Sequence, residues 1–341
     1  MGTDSGRSSV NDKAASAGAS GISSWAGKAL LLSTLVLQNC ACGILVRQTR
    51  IRGSGEWVPQ TGVLLQEVLK GLVSLGLAVL LKEPLSGIVT DPRELLVSAV
   101  PALLYLVQNN LQYVALGYLE PAAYTVTYQL KIVSTAGCFV LMLGKKLSIQ
   151  SWISLMLLVL GVCLVQLATL EENPRGPETG ASIGRQAAGV LATLLSSLLS
   201  GIAGVYTEMI LKNSKVSLWG RNVQLAAWST MLGLVGLAST GDLSGIQSRG
   251  FFHGYNGWIC ASICNNAFGG LIIAAVIRYA DNILKNFATS VSIVLTTVLS
   301  VQYFGLELNL SLLLGVALVC YSIFLYSGVL SMPFSGKAKA S

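Results

Sequence analysis

Two apolar runs, residues 257–276 and 283–304, follow each other with only a short polar connection: GWICASICNNAFGGLIIAAVIRYADNILKNFATSVSIVLTTVLSVQYF. Each run has about 20 residues, the length that an α-helix needs to cross the hydrocarbon core of a bilayer. Because the connection from Arg278 to Asn282 is so short, the two helices must be antiparallel neighbours. This stretch therefore predicts a helical hairpin in a membrane.

The same pattern of apolar runs continues through the rest of the chain. The 341 residues are 53% hydrophobic and only 11% charged, against about 25% charged residues in soluble domains. We expect an all-α integral membrane protein with ten transmembrane helices, because the apolar runs predict ten spans. They lie at residues 29–46, 62–81, 95–116, 122–143, 149–168, 183–210, 222–239, 257–276, 283–304 and 309–329.

The charged residues predict how the chain is oriented. The net charge is +7, but Lys and Arg are scattered beside the spans and form no basic stripe of the kind that binds nucleic acid. With ten spans, 14 of the 22 Lys and Arg residues lie on the side of both termini. Cytosolic segments carry such an excess, so we expect both tails, residues 1–28 and 330–341, to be cytosolic and the loop 169–182 to be lumenal. The N-terminal tail is also predicted to be disordered.

A faint internal repeat divides the predicted spans into two halves. Sliding the chain on itself by 161 residues aligns identical residues without a gap, among them Tyr118 with Tyr279, Thr135 with Thr296, Val140 with Val301, Gly144 with Gly305 and Leu147 with Leu308. Residues 29–168 and 183–329 would then be five-helix repeats. Since each half has an odd number of spans, the two must be inserted with opposite topology, as in many secondary transporters.

The chain offers no grouping of residues for catalysis. It has no paired carboxylates within one predicted span, no Ser-His-Asp set and no phosphate-binding glycine loop. The seven cysteines lie in or beside apolar segments and His253 is the single histidine, so neither a metal site nor a disulfide framework is expected. We predict a protein that is not an enzyme and has no cofactor.

Lys131 and Lys285 both lie in predicted spans, where an ion costs roughly 2.5–3.5 kcal/mol. Lys131 has no acidic residue in its span, which suggests an anionic ligand, although its side chain could instead extend to the membrane surface. Lys285 follows Asp281 by one helical turn, so an ion pair that stabilises the helix start is the alternative to a ligand contact.

Other polar residues in the spans leave two interpretations open. Glu67 and Lys70 share a helix face and can neutralise each other as a structural pair, or they can serve as a gate or a sugar-facing contact. Asn109, with Tyr105 and Gln108 before it, places amides and a phenol in the third span. Such groups can recognise a nucleobase edge or bond neighbouring helices.

Four stretches resemble the Golgi nucleotide-sugar transporters, the group that carries UDP-galactose, UDP-N-acetylglucosamine and CMP-sialic acid. They are PALLYLVQNNLQYVAL (101–116), YTVTYQLK (124–131), GIAGVY (201–206) and GGLIIAAVIRYADNILKNFATS (269–290). The resemblance runs from about residue 29 to 329 with the motifs in the same order. It implies a ten-helix drug/metabolite-transporter fold in the Golgi membrane, exchanging a cytosolic nucleotide sugar for a lumenal nucleoside monophosphate.

The resemblance also implies roles for single residues. Lys131 and Lys285 would contact the phosphates and Tyr124 would border the nucleobase. Base and ribose would be hydrogen-bonded by Tyr105, Gln108 and Asn109. Ser200 and Asn222 also occupy positions similar to ligand contacts.

Departures from the family pattern concern the cargo. Thr125, Thr207, Met209 and Asn286 replace Gln, Phe, Lys and Gly, and Ala226 stands where the CMP-sialic acid branch has a tyrosine. The motifs are closest to the UDP-sugar members, so UDP-galactose is favoured over UDP-N-acetylglucosamine and CMP-sialic acid. A carrier of sugar phosphates and a non-transporting scaffold for glycosyltransferases are the alternatives outside the group, and a homodimer or a glycosyltransferase partner stays open.

Overall fold

The computed structural model describes residues 24–52, 57–83, 92–119, 121–171, 183–213, 216–239, 242–304 and 309–329. All regular elements in these ranges are α-helices. They are α1 (Trp25–Arg52), α2 (Pro59–Leu80), α3 (Pro92–Tyr118), α4 (Pro121–Tyr128), α5 (Leu130–Leu143), α6 (Ile149–Glu171), α7 (Ile183–Asn213), α8 (Leu218–Ser239), α9 (Asp242–Arg249), α10 (Gly257–Tyr279), α11 (Asn282–Phe304) and α12 (Leu310–Tyr326).

The predicted spans and tails can be compared with these bounds. Each of the ten predicted spans is occupied by helix, with α4 and α5 sharing the span 122–143. α1 begins at Trp25, so the last residues of the predicted N-terminal tail are helical, and α6 extends to Glu171 at the start of the predicted lumenal loop. The rest of that tail, the rest of the loop and the C-terminal tail lie outside the described residues.

Seven stretches of these helices are long and apolar enough to cross a membrane, and α12 is apolar but shorter. This confirms an all-α membrane protein. α3 and α8 fall outside the seven stretches because polar residues, such as Gln108 and Asn109 in α3 and Arg221 and Gln224 in α8, interrupt their apolar sequences. The number of ten spans stays a prediction.

The chain forms two compact units, and both combine early and late segments of the sequence. The first unit contains Met1–Ala99 and Ile210–Lys285, and the second contains Val100–Met209 and Asn286–Ser341. The chain passes from one unit to the other inside α3, α7 and α11. These compact units differ from the two predicted five-helix halves, residues 29–168 and 183–329. The halves describe a repeat in the sequence and stay a prediction.

In the first unit, α8 packs on α2, and α10 packs on α1 and α2. Two side-chain amides join α1 to α10. Gln38 Nε2 donates to the backbone carbonyl of Asn265 at 3.0 Å, and Asn265 Nδ2 donates to the backbone carbonyl of Gln38 at 3.3 Å. Gly269 makes room for this contact, since a Cβ there would lie 2.6 Å from Gln38 Cδ. Small residues and interhelical hydrogen bonds are what hold helices together in lipid.

Within the same unit, a buried arginine on α8 is bonded to residues near the start of α3. Arg221 is 1% exposed and pairs with the Glu94 carboxylate. Its Nη1 donates to the Glu94 carbonyl at 2.9 Å, to Ser98 Oγ at 2.6 Å and to Gln224 Oε1 at 2.9 Å. These bonds compensate the desolvation of a charge that would otherwise be costly to bury.

In the second unit, α6 packs on α12, α4 and α5. Two glycines form the crossing of α6 and α12: a Cβ on Gly161 would lie 2.9 Å from the Gly315 carbonyl oxygen. α7 approaches α5 in the same way at Gly201, where a Cβ would lie 2.8 Å from the backbone of Ser134. Backbone contact of this kind fixes the helices that carry the predicted ligand contacts Lys131 and Ser200.

Candidate functional site

The predicted fourth span is interrupted by one tight turn. α4 ends at Tyr128 and α5 begins at Leu130. The Gln129 N–H donates to the Val126 carbonyl at 3.1 Å, and the Ile132 N–H donates to the Gln129 carbonyl at 3.0 Å. These i to i−3 bonds are those of a 3₁₀ turn, which inside a helix often marks a functional position. Lys131 and Tyr128 lie on its two sides.

Tyr128 is the centre of a polar cluster in the second unit. Gln108 Nε2 and Gln112 Nε2, both on α3, donate to its phenolic oxygen at 3.2 and 2.8 Å. The same hydroxyl is hydrogen-bonded to Ser200 on α7. Since two N–H donors occupy the oxygen, the phenolic proton is left for the serine. Three helices thus converge on one side chain.

Two aromatic contacts bring the predicted residues Tyr124 and Lys131 into this cluster. The rings of Tyr124 and Tyr128 are stacked, with centroids 5.6 Å apart and planes 10° apart. The Lys131 ammonium lies 4.4 Å from the centroid of the Tyr128 ring. No carboxylate among the described residues forms an ion pair with Lys131, so its contact there is with a neutral π-face. The Lys131 ammonium therefore remains able to bind an anion.

Tyr105 and Gln108 complete the cluster on α3. The Tyr105 hydroxyl is hydrogen-bonded to Thr207 of α7. Gln108 is 5% exposed, and its Oε1 accepts no hydrogen bond within the part of the chain that the structure describes. Asn109 does not join the cluster, because its side chain is exposed on another face of α3. The cluster therefore offers a cation, an open acceptor and an aromatic stack.

Sequence reasoning missed Tyr128 and Gln112, which do most of the bonding in this cluster. The signal that could have found them is spacing. Gln108 and Gln112, like Tyr124 and Tyr128, are four residues apart and therefore share a helix face. Each missed residue repeats the chemistry of its predicted neighbour one turn later.

The remaining predicted residues belong to the first unit. Lys70 Nζ lies 2.5 Å from Glu67 Oε2, so these two residues form an ion pair. A Cβ on Gly270 would lie 2.7 Å from Lys70 Cδ, so this glycine leaves space for the lysine stem. Asn222 is 2% exposed, and its Nδ2 finds no acceptor among the described residues.

Lys285 lies half-buried in the first turn of α11. The Asp281 carboxylate accepts the Leu284 N–H at 2.7 Å and so caps this helix. The carboxylate stabilises the start of the helix through this backbone bond. The salt bridge to Lys285 and the ligand contact of Lys285 both stay predictions.

Comparisons with known proteins agree on one family. The sequence profile described as "Nucleotide-sugar transporter" matches residues 24–327. The UDP-galactose translocators of Mus musculus and Homo sapiens are 42% identical over 320 residues, which cover 88% of this chain and 78% and 77% of theirs. The UDP-N-acetylglucosamine transporter of Rattus norvegicus is 40% identical over 314 residues, covering 88% of this chain and 94% of its own.

A solved crystal structure shares the fold. It superposes with a TM-score of 0.66 at 14% sequence identity, covering 89% of this chain and 98% of the other. At this identity the similarity concerns the arrangement of helices.

Proposed function

Because the chain belongs to the nucleotide-sugar transporter family, we propose that it exchanges a cytosolic UDP-sugar, with UDP-galactose favoured, for lumenal UMP across the Golgi membrane. The family consists of transporters, not enzymes. The relatives that are 42% identical are UDP-galactose translocators, which supports this choice of cargo.

The contact that carries the proposal is the Lys131 ammonium over the Tyr128 ring, with no carboxylate pairing with it in the described residues. A lysine held in a membrane helix by a π-face alone is suited to a phosphate, which attracts a cation far more strongly in a low-dielectric cavity than in water. The Tyr124–Tyr128 stack and the open Gln108 acceptor are suited to a base and its N–H groups. We also propose Lys285 and Asn222 as ligand contacts, on the family resemblance.

Alternating access through two inverted five-helix repeats is the transport mechanism that we propose. A carrier without ligand would have to occlude Lys131 with no counter-ion, which is costly. Movement is then favoured only when a nucleotide is bound, and the protein exchanges cargo rather than leaking it. Ten spans and two cytosolic tails belong to this proposal.

Exchange in proteoliposomes tests it. Vesicles loaded with UMP should take up labelled UDP-galactose at least about tenfold faster than empty vesicles, because the unloaded carrier returns slowly. Equal uptake by both would contradict exchange. Absence of uptake from both, with UMP failing to raise the melting temperature, would favour a scaffold instead.

A second cargo is supported by the relatives at 40% identity, which are UDP-N-acetylglucosamine transporters. Competition in the same vesicles separates the candidates. Unlabelled UDP-galactose should inhibit more strongly than UDP-N-acetylglucosamine at equal concentration, and CMP should compete less than UMP. The reverse order in either pair would reassign the sugar or the base.

A further inference from the structure

Tyr128 contributes one aromatic ring to two contacts within the second unit. The Lys131 ammonium lies 4.4 Å from the centroid of this ring, and the Tyr124 ring stacks on it with planes 10° apart. The face of an aromatic ring carries partial negative charge and its edge carries partial positive charge. The orientation of the Tyr128 ring therefore decides whether the lysine is attracted or repelled.

The position of Tyr128 in the chain does not fix this ring by itself. Tyr128 is the last residue of α4, directly before the turn at Gln129. α4 has 8 residues, and isolated helices of that length are unstable in water. Contacts with other helices must therefore hold the residue in place. Its backbone has one such contact, since Ser197 Oγ of α7 donates to the Tyr128 carbonyl at 3.4 Å.

Three side chains on two other helices hold the Tyr128 hydroxyl. Gln108 and Gln112 of α3 donate to its oxygen at 3.2 and 2.8 Å, and Ser200 of α7 is hydrogen-bonded to it as well. A phenolic hydroxyl can accept two hydrogen bonds and donate one, so these three partners satisfy it completely. Removing one of them leaves part of the hydroxyl without a partner and weakens the attachment of the ring.

Gln112 differs from the other two partners in what its side chain contacts. In the part of the chain that the structure describes, this side chain forms one hydrogen bond, the one to Tyr128. That bond is also the shorter of the two that α3 donates. Gln108 and Ser200 are themselves predicted ligand contacts, so substituting either would change two interactions at once. Gln112 can be substituted without removing a predicted ligand contact.

We propose that Gln112 is a positioning residue for nucleotide binding. Its amide fixes the Tyr128 hydroxyl, the π-face of the Tyr128 ring holds the Lys131 ammonium, and the ammonium in that position binds the phosphate. This inference rests on the proposed function. It assigns to Gln112 a role that is exerted through Tyr128 and Lys131 and not by contact with the ligand.

Isothermal titration of the purified full chain with UMP tests the inference. Gln112→Met keeps the length of the side chain but removes the donor, and it should weaken UMP binding about fivefold, the factor that one hydrogen bond is worth. Asn110→Leu is the matched control, since Asn110 is an exposed amide on the same helix that donates to the carbonyl of its own Leu106. This control should keep the UMP affinity within about twofold. Unchanged affinity in Gln112→Met, or equal losses in both variants, would overturn the inference.

Non-additivity separates positioning from a general loss of packing. Tyr128→Phe removes the hydroxyl and should weaken UMP binding at least as much as Gln112→Met does, and adding Gln112→Met to it should change the affinity less than about twofold. The same small change is expected in a Lys131→Ala background. Losses that multiply in either pair would overturn the inference. Tyr128→Phe removes the same bond from its other end, so it supplies the answer if Gln112→Met fails to fold.

Exchange in proteoliposomes gives a readout that a merely structural role would not produce. The UMP concentration for half-maximal exchange should rise about fivefold in Gln112→Met, while the maximal rate stays within about twofold, because only binding is weakened. A lower maximal rate at an unchanged half-maximal concentration would overturn the inference and leave the proposed function intact. Failure of the unsubstituted protein to bind UMP would overturn the proposed function itself.

Discussion

Lys131 is an ionised residue inside a membrane helix, and its contacts must offset the free-energy cost of placing a charge there. An ion in the bilayer costs roughly 2.5–3.5 kcal/mol on insertion scales, and a cation–π contact returns about 0.5–2 kcal/mol. The Tyr128 ring therefore compensates only part of the cost. Under the proposed function, the phosphate of a bound nucleotide offsets the rest.

Replacing Lys131 should affect nucleotide binding but not folding. Lys131→Ala should weaken UMP binding by about tenfold or more, because a charge-assisted bond to phosphate is lost. Lys131→Arg should retain part of it. Lys145→Ala is a matched control, since Lys145 also lies over a ring, that of Phe139, but is exposed near the end of the span. Isothermal titration of purified proteins measures all three, and full UMP affinity in Lys131→Ala would contradict the assignment.

The Glu67–Lys70 pair gives a different expectation, because its charges already compensate each other. Lys70→Met alone leaves Glu67 unpaired and should lower the free energy of unfolding by about 1–3 kcal/mol, less than for a fully buried pair. Adding Glu67→Gln should restore most of the loss. Melting temperatures in detergent give the comparison, with exchange measured in parallel. A stable double variant without exchange would instead assign the pair to a gate.

What the sequence could predict at this scale was the chemistry of single side chains. The pairing of Glu67 with Lys70 follows from a spacing of three, and it was found. The Arg221–Glu94 pair joins residues 127 positions apart, so no local rule could reveal it. Tyr128 was missed because a tyrosine in an apolar run is ordinarily interpreted as a packing residue. Its hydrogen-bond partners lie on two other helices, which the sequence alone does not bring next to it.

Glycines decide how closely the helices approach. At Gly161 the backbone of α12 lies where a side chain would begin, whereas a Cβ on Gly137 would meet nothing within 4 Å. The first glycine is needed for packing and the second is not. The two form a matched pair for a stability experiment.

Gly161→Ala should lower the free energy of unfolding by about 1–3 kcal/mol, because α6 and α12 must move apart. Gly137→Ala should be neutral or stabilising by up to about 1 kcal/mol, since Ala is the better helix former. Unfolding in mixed detergent measures both. Equal effects of the two substitutions would rule out the close crossing as the cause.

The positions of the helices were predictable, but their interruptions and partners were not. Apolar run length predicted where helix forms, because a chain in lipid must satisfy its own backbone hydrogen bonds. The same rule does not locate a single tight turn, so the sequence did not predict the break in the helix at Gln129. Partner choice was hidden as well, because apolar residues that face lipid and those that face protein look alike in sequence.

The orientation of the whole molecule is testable without a structure. Tags on both tails should be removed by protease from sealed vesicles whose cytosolic face is outside, because Lys and Arg are in excess on that side. A tag placed between residues 172 and 182 should be protected until detergent is added. Protection of one tail alone would mean an odd number of spans, and would also exclude the proposed pair of five-helix repeats.

The division of the chain between the two units has a consequence for biosynthesis. The first unit needs residues up to Lys285, which leave the ribosome roughly 10–40 s after residue 99 at about 5–20 residues per second. During that interval Glu94 has been made before its partner Arg221 exists. Any translation stop before Lys285 leaves this unit incomplete, so we expect truncated chains to be recognised by quality control and the newly inserted N-terminal helices to depend on a membrane chaperone.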